Sequence, residues 1–204
     1  MIDLPLVIIA GGKSSRMGSD KALLPFDTFK TLTQFQLARF KEHFSSVYIS
    51  CKSKDKFDFD AFFIEDDPHY AESSPLVALL SILNRFETPV CVLSVDTPFV
   101  TPNIFATLQE HMRTTDDVIV AKSSFGNHPL CAIYRPLIQE KILMMLEAND
   151  HKIGHLLQSI STQYVDFGDD APFYNLNYLK EYEDAKKRLA SMATSHRVDT
   201  PTSH

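Results

Sequence analysis

Val7-Ile8-Ile9-Ala10-Gly11-Gly12-Lys13-Ser14-Ser15-Arg16-Met17-Gly18-Ser19-Asp20-Lys21-Ala22-Leu23-Leu24-Pro25-Phe26 is the stretch on which the reading of this chain turns. An apolar run of strand character ends at Gly11-Gly12, a polar loop carries Lys13, Arg16 and Lys21, and an apolar stretch resumes at Ala22. Glycines let backbone N–H groups come close to a polyphosphate, consecutive amides form an anion-binding concavity, and basic side chains neutralise its charge. The layout predicts a phosphate-binding loop. Spacing excludes two other glycine loops. The pattern G-x-x-x-x-G-K-[ST] would require a glycine at position 7, which is Val7, and Gly11, Gly12 and Gly18 do not fall on G-x-G-x-x-G.

Working outward, apolar runs rich in β-branched residues recur at Leu6 to Ile9, Val47 to Cys51, Phe62 to Ile64, Val90 to Val95 and Val118 to Ala121. Segments of helical period lie between them, at Thr31 to Phe44, Pro75 to Arg85, Asn103 to Met112 and Pro136 to Ala148. This alternation predicts an α/β protein whose parallel sheet is covered on both faces. Cys131 to Tyr134 and Gln163 to Phe167 read as further strands, and Tyr178 to Leu189 as a closing helix. Residues 1–190 are expected to form one domain and residues 191–204, polar and without periodicity, a disordered tail. Lys52 to Asp60 reads as a solvated connection with a few buried aromatics.

The chain has 204 residues, 44% hydrophobic and 23% charged, enough for one well-buried domain and typical of globular proteins. No apolar run approaches the roughly 20 residues needed to cross a bilayer. Asp3 and Pro5 stand where a signal peptide would need a basic region and an apolar core, so the expected compartment is the cytoplasm. A formal charge of −6 argues against a broad nucleic-acid surface, while a small anion held by one basic loop is compatible with it. Cys51, Cys91 and Cys131 are widely spaced in apolar surroundings and read as reduced, buried thiols.

A second site lies at Leu93-Ser94-Val95-Asp96-Thr97-Pro98, where a carboxylate follows an apolar strand directly and a proline ends that strand. Ligands of open α/β sheets bind outside the carboxyl ends of the strands, so Asp96 and the glycine loop are expected to share one crevice. Asp96 there suits Mg²⁺, which takes one or two carboxylates plus phosphate oxygens; as an isolated residue it could equally cap the turn. Asp66, in Glu65-Asp66-Asp67-Pro68, either accepts hydrogen bonds from a base or ribose hydroxyl or belongs to a solvated acidic turn. Ser73 or Ser74 can cap a helix starting near Pro75. Asn175 and Asn177 either contact a polar ligand or a second metal-site partner, or satisfy backbone groups at the entry of the last helix. His128, beside Pro129, could face the crevice, but a lone histidine supports no base role.

The run from Ala10 to Leu24 resembles the signature of the MobA-type molybdenum cofactor guanylyltransferases, within the nucleotide-diphospho-sugar transferase-like superfamily. That signature reads approximately L-A-G-G-x-S-x-R-M-G-x-D-K-x-L, and the resemblance continues through Glu65-Asp66, Ser74-Pro75-Leu76, Asp96-Thr97-Pro98, His128-Pro129 and Asn175-Leu176-Asn177. It implies a three-layer α/β/α Rossmann-like nucleotidyltransferase fold with a mostly parallel central sheet. It further implies transfer of GMP from GTP to the terminal phosphate of molybdopterin with release of pyrophosphate. By position, Ile9, Ala10, Gly11 and Gly12 would contact the guanine nucleotide, Lys21 would hold its phosphates, and Arg16 would stabilise the triphosphate. Asp66 would contact the nucleotide, Asp96 would bind both nucleotide and Mg²⁺, and Asn175 and Asn177 would lie beside the acceptor. Ser50 aligns with a family asparagine, and Ser74-Pro75-Leu76-Val77-Ala78 with a family G-P-L-A-G loop, so base choice falls on positions where this chain differs. The alternatives are a cytidylyltransferase, a sugar-phosphate nucleotidyltransferase, and a non-catalytic nucleotide-binding protein that delivers cofactor. The implied protein partners are those of molybdopterin synthesis and molybdoenzyme maturation.

Overall fold

A computed structural model describes residues 1–11, 20–70 and 72–198. Among them, seven strands form one sheet: β1 (Ile2–Ile9), β2 (Phe44–Cys51), β3 (Phe62–Glu65), β4 (Val90–Ser94), β5 (Val118–Ser123), β6 (Gly126–Tyr134) and β7 (Thr162–Asp166). Their order across the sheet is β3-β2-β1-β4-β6-β5-β7. Only β6 runs against the others. The cause is local: β5 and β6 are joined by the two residues Ser124 and Phe125, too short for a crossover, and Gly126 takes φ +115°, which side chains rarely adopt.

Six helices cover the sheet: α1 (Leu32–Phe40), α2 (Pro75–Leu83), α3 (Pro102–His111), α4 (Gln139–Glu147), α5 (Ile153–Ser159) and α6 (Leu179–Val198). Leu6 and Ile8 of β1 join one core with Leu32, Phe35 and Phe40 of α1, Phe105 of α3 and Tyr182 of α6. Val7 and Ile9 join a second core with α2, Ile142 of α4 and Leu156 of α5. Both faces of β1 are therefore apolar, as a central parallel strand requires. The three-layer, mostly parallel architecture expected from the sequence is the one found. All three cysteines are buried and free. Burial raises each thiol pKa, that of Cys51 to about 12. No helix among the described residues is long and apolar enough to cross a membrane.

Four expectations are corrected. β6 begins at Gly126, ahead of the expected Cys131, and takes in His128 and Pro129, expected in a loop, because the two-residue turn lets Gly126, Asn127 and His128 pair at once with Ser123, Lys122 and Ala121. α1 stops at Phe40, and Phe44, expected to close it, opens β2 instead, because its ring is needed in the core against Phe40 and Phe105. α5 falls in a segment left unassigned, two turns whose histidine and glycine blur the period. α6 runs to Val198, eight residues into the expected tail. No glycine or proline interrupts the chain before Pro201, and the i,i+3 pairs Glu183–Lys186 and Asp184–Lys187 support the helix earlier in its length.

Phe105 is fully buried, with its ring edge-on to Phe40 at 6.3 Å and Phe44 at 5.6 Å. Phe105→Ala is expected to cost about 3–5 kcal/mol. Urea unfolding checks this as a lowered midpoint at unchanged slope.

Candidate active site

The carboxyl ends of β1 and β4 lie side by side, with Ile9 opposite Ser94, and the backbone N–H of Val95 donates to Ile9 O at 3.0 Å. Asp96 therefore emerges beside the end of β1, from which Ala10 and Gly11 continue. Its turn is fastened from behind by α1. The amide of Gln36 donates to Thr97 O at 3.0 Å and the guanidinium of Arg39 to Val100 O at 2.9 Å and to Pro98 O. Arg39 is held among apolar neighbours, and burial lowers its pKa to about 10. From the front, Leu176 N–H donates to Asp96 O at 2.9 Å, which pins the Asn175 to Asn177 segment across the turn.

Four polar side chains converge there. Lys21 Nζ donates to Asp96 Oδ2 at 3.1 Å and to Asn177 Oδ1 at 3.1 Å, and Ser94 Oγ donates to Asp96 Oδ1 at 2.6 Å. Lys21 leaves the single turn Lys21–Leu23, capped by Asp20, whose Oδ1 accepts Ala22 N–H at 3.0 Å. Asn177 is placed by Glu181, whose carboxylate accepts the N–H groups of Asn177 and Tyr178 at the entry of α6. Sequence reasoning offered Asn177 either a ligand or a backbone role; its side chain holds Lys21 while its backbone is bound by Glu181.

Two cavities flank this cluster. One, about 190 Å³, is lined by Ile9, Gly11, Asp66, Ser74, Ser94 and Leu130 among others. Ser74 caps α2 through Val77 N–H at 3.3 Å and is hydrogen-bonded at 3.0 Å by His151, from the α4–α5 connection. Oδ1 of Asp66 is buried with no hydrogen-bond partner among the described residues. Burial raises the Asp66 pKa, and the positive charges of Lys52 and Lys56 oppose that rise. A Cβ at Gly11 would lie 3.9 Å from Cys51 Cα and Lys52 N, ordinary van der Waals contacts among the described residues.

The second cavity, about 250 Å³, is lined by Asp96, Asn127, His128, Asn175 and Asn177 among others, and shares Ser94 and Leu130 with the first. His128 does face the crevice. Its ring stacks on Phe173 at 4.2 Å and its Nε2 lies 2.9 Å from Ser123 Oγ. Burial pulls its pKa below the ordinary value, which keeps the imidazole neutral at neutral pH. A larger cavity of about 460 Å³ lies at the opposite ends of β2 and β3, among Leu37, Lys41, Ser46, Asp60 and Phe62, and shares no residue with the cluster.

Of the expected site residues, Ile9, Gly11, Lys21, Asp66, Asp96, Asn175 and Asn177 come together around these cavities, with Ala10 at the loop's entry. Ser50 does not line either one. It is fully buried at the end of β2, where its carbonyl accepts Ala10 N–H at 2.8 Å and its hydroxyl has no partner among the described residues. Gly12 and Arg16 lie outside the described residues, as does Lys13. Ser94, Leu130 and His151 were not picked out beforehand, and nothing in their types or spacing marked them.

An open, mostly parallel sheet with a glycine loop, a lysine and a carboxylate gathered at its switch point defines a nucleotide-binding α/β domain of the nucleotidyltransferase kind. The chain belongs to the MobA-like NTP transferase domain family, whose profile matches residues 6–165. It is 40% identical over 188 residues to a protein of Campylobacter jejuni strain RM1221 named molybdenum cofactor guanylyltransferase, covering 92% of this chain and 97% of that one. A Helicobacter pylori J99 protein of the same name is 27% identical, with 96% and 94% covered. Among solved structures, molybdopterin-guanine dinucleotide biosynthesis protein A of Archaeoglobus fulgidus superposes with a TM-score of 0.80 at 19% identity, over 92% of this chain and all of that one.

Two outcomes follow from the first cavity. Because burial raises the carboxyl pKa of Asp66, the folded state holds its proton to higher pH than the unfolded chain, so the ionised group costs stability at neutral pH. Asp66→Asn should raise Tm by a few degrees at pH 7, and the gain should fade as pH falls through the raised pKa toward the ordinary aspartate value. Gly11→Ala should leave Tm within about 2 °C of the parent while weakening nucleotide binding at least about tenfold, read by calorimetric titration.

Proposed function

We propose that the chain transfers a guanylyl group from GTP to the terminal phosphate of molybdopterin and releases pyrophosphate. The observation that carries this is the Lys21–Asp96–Asn177 cluster set between two adjoining cavities, in a chain whose relatives at 40% identity are named molybdenum cofactor guanylyltransferase. The first cavity would take the nucleoside. Guanine presents neighbouring N–H donors, and a carboxylate is an acceptor on both oxygens, so the unpartnered Oδ1 of Asp66 suits that edge. The second cavity would take the acceptor, its polar heterocycle meeting the amides of Asn127 and Asn175 and the neutral ring of His128.

The reaction forms a bond from a terminal phosphate oxygen of molybdopterin to the α-phosphorus of GTP and breaks the bond from that phosphorus to the bridging oxygen of pyrophosphate. A phosphate monoester is already anionic near neutral pH, so no side chain need remove a proton. What the chain supplies is alignment and charge. Lys21, now shared between Asp96 and Asn177, would turn to the triphosphate; the amide of Gly11, with those of Gly12 and the side chain of Arg16, would line the phosphates. Mg²⁺ prefers a carboxylate with hard oxygens beside it, and Asp96 with the Ser94 hydroxyl and the Asn177 amide oxygen offers such a set. When bound there, the ion would neutralise charge on the triphosphate. We place this activity in the cytoplasm, with proteins of molybdopterin synthesis and molybdoenzyme maturation as partners.

Pyrophosphate release measured with each nucleoside triphosphate, with and without molybdopterin, tests the reading. Release is expected only with GTP and molybdopterin together; release with CTP or with a sugar phosphate would replace it by one of the related transferase readings. Asp96→Asn, nearly isosteric, should lower turnover by at least about a hundredfold with an unchanged circular dichroism spectrum. Retained turnover would reduce Asp96 to a turn cap.

A further inference from the structure

We propose that Lys56 is a positioning residue of the nucleotide site, fastening both flanks of the glycine loop to a single point; this rests on the GTP-binding reading above. Lys56 belongs to the single turn Lys54–Lys56 in the β2–β3 connection, a segment whose composition suggested only a solvated link. Its ammonium donates to Ala10 O at 2.8 Å and to Asp20 Oδ2 at 2.7 Å. Ala10 directly precedes Gly11, and Asp20 directly precedes Lys21, so one cation joins residues ten apart in the chain, at either end of the loop.

The tie passes straight to the reacting end of the site. With Oδ2 held by Lys56, Asp20 uses Oδ1 to cap the turn from which Lys21 reaches Asp96 and Asn177. With Ala10 O held by Lys56 and Ala10 N–H donated to Ser50 O, both backbone groups of Ala10 are fixed, which sets the approach of Ile9 and Gly11 to the first cavity. The Lys56 and Asp20 side chains are 24% and 34% exposed, and the Phe57 ring lies 5.0 Å from the ammonium, so water competes only in part for these charge-assisted bonds. The same charge also favours the ionised form of Asp66, against the opposing effect of burial. A lysine serving only solubility would make none of these contacts.

Lys56→Met keeps the stem and removes the charge; Lys56→Arg keeps the charge. In the full chain without nucleotide, Lys56→Met is expected to speed amide hydrogen exchange across residues 20–24 on the order of tenfold. By calorimetric titration it should weaken GTP binding about tenfold, with an unchanged circular dichroism spectrum. Lys56→Arg should recover most of both. Unchanged exchange in the Met variant overturns the proposal, as does faster exchange with GTP affinity within about twofold of the parent. If Lys56→Met does not fold, Asp20→Asn removes the other half of the tie and is judged by the same two readouts. Failure of the parent protein to bind GTP would overturn the guanylyl-transfer reading instead, and the exchange result would still decide whether Lys56 fastens the loop.

Discussion

The hydrogen-bonded register of β1 between β2 and β4 is the constraint on which the rest of this molecule depends. It sets Ile9 level with Ser50 on one side and Ser94 on the other, so that the chain leaves all three strands at one height. From that edge Gly11, the Asp96 turn and, one strand further out, Asp66 each follow a strand end directly. The register is enforced by burial on both faces: Leu6 and Ile8 point into one core and Val7 and Ile9 into the other, and a slip of one residue would exchange the two sets. Helix α1 adds a second enforcement, since Gln36 and Arg39 bind carbonyls of the segment after β4 and so couple the packing of a helix to the placement of a carboxylate.

The electrostatics of the site run against local stability in one place and with it in another. Burial raises the Asp66 pKa and leaves it an oxygen that no described group satisfies, so its ionised form is disfavoured in the empty site. Asp96 is the opposite case, since Lys21 and Ser94 already occupy its two oxygens before any substrate arrives. On the proposed reading, Asp66 would be the acceptor used in recognition, and Asp96 with Lys21 the charged pair that exchanges partners when substrate binds.

Much of this was legible in the sequence. The seven strands and most helices were visible because a mostly parallel sheet writes its central strands as short apolar runs, and the loop and Asp96 were visible because both stand directly after such runs. What escaped had physical reasons. Helix α5 is too short to express a period, and Phe44 serves the core equally well as the end of a helix or the start of a strand. Lys56 looked like any lysine in a charged loop, since its importance lies in two oxygens at residues 10 and 20 that only the fold brings to it. Ser50 aligns with a recognition position but is fully buried and lines neither cavity, a distinction that alignment of letters does not carry.

Ser94 belongs to the walls of both cavities, and that shared wall has a kinetic meaning. If they are the donor and acceptor pockets proposed above, cavities that adjoin at Ser94 and Leu130 can be filled together, with their phosphates brought face to face beside the Ser94 hydroxyl. Nothing need be parked on the protein between half-reactions. On the guanylyl-transfer reading proposed above, the reaction would then proceed through a ternary complex and a single displacement, inverting the configuration at the phosphorus that changes hands.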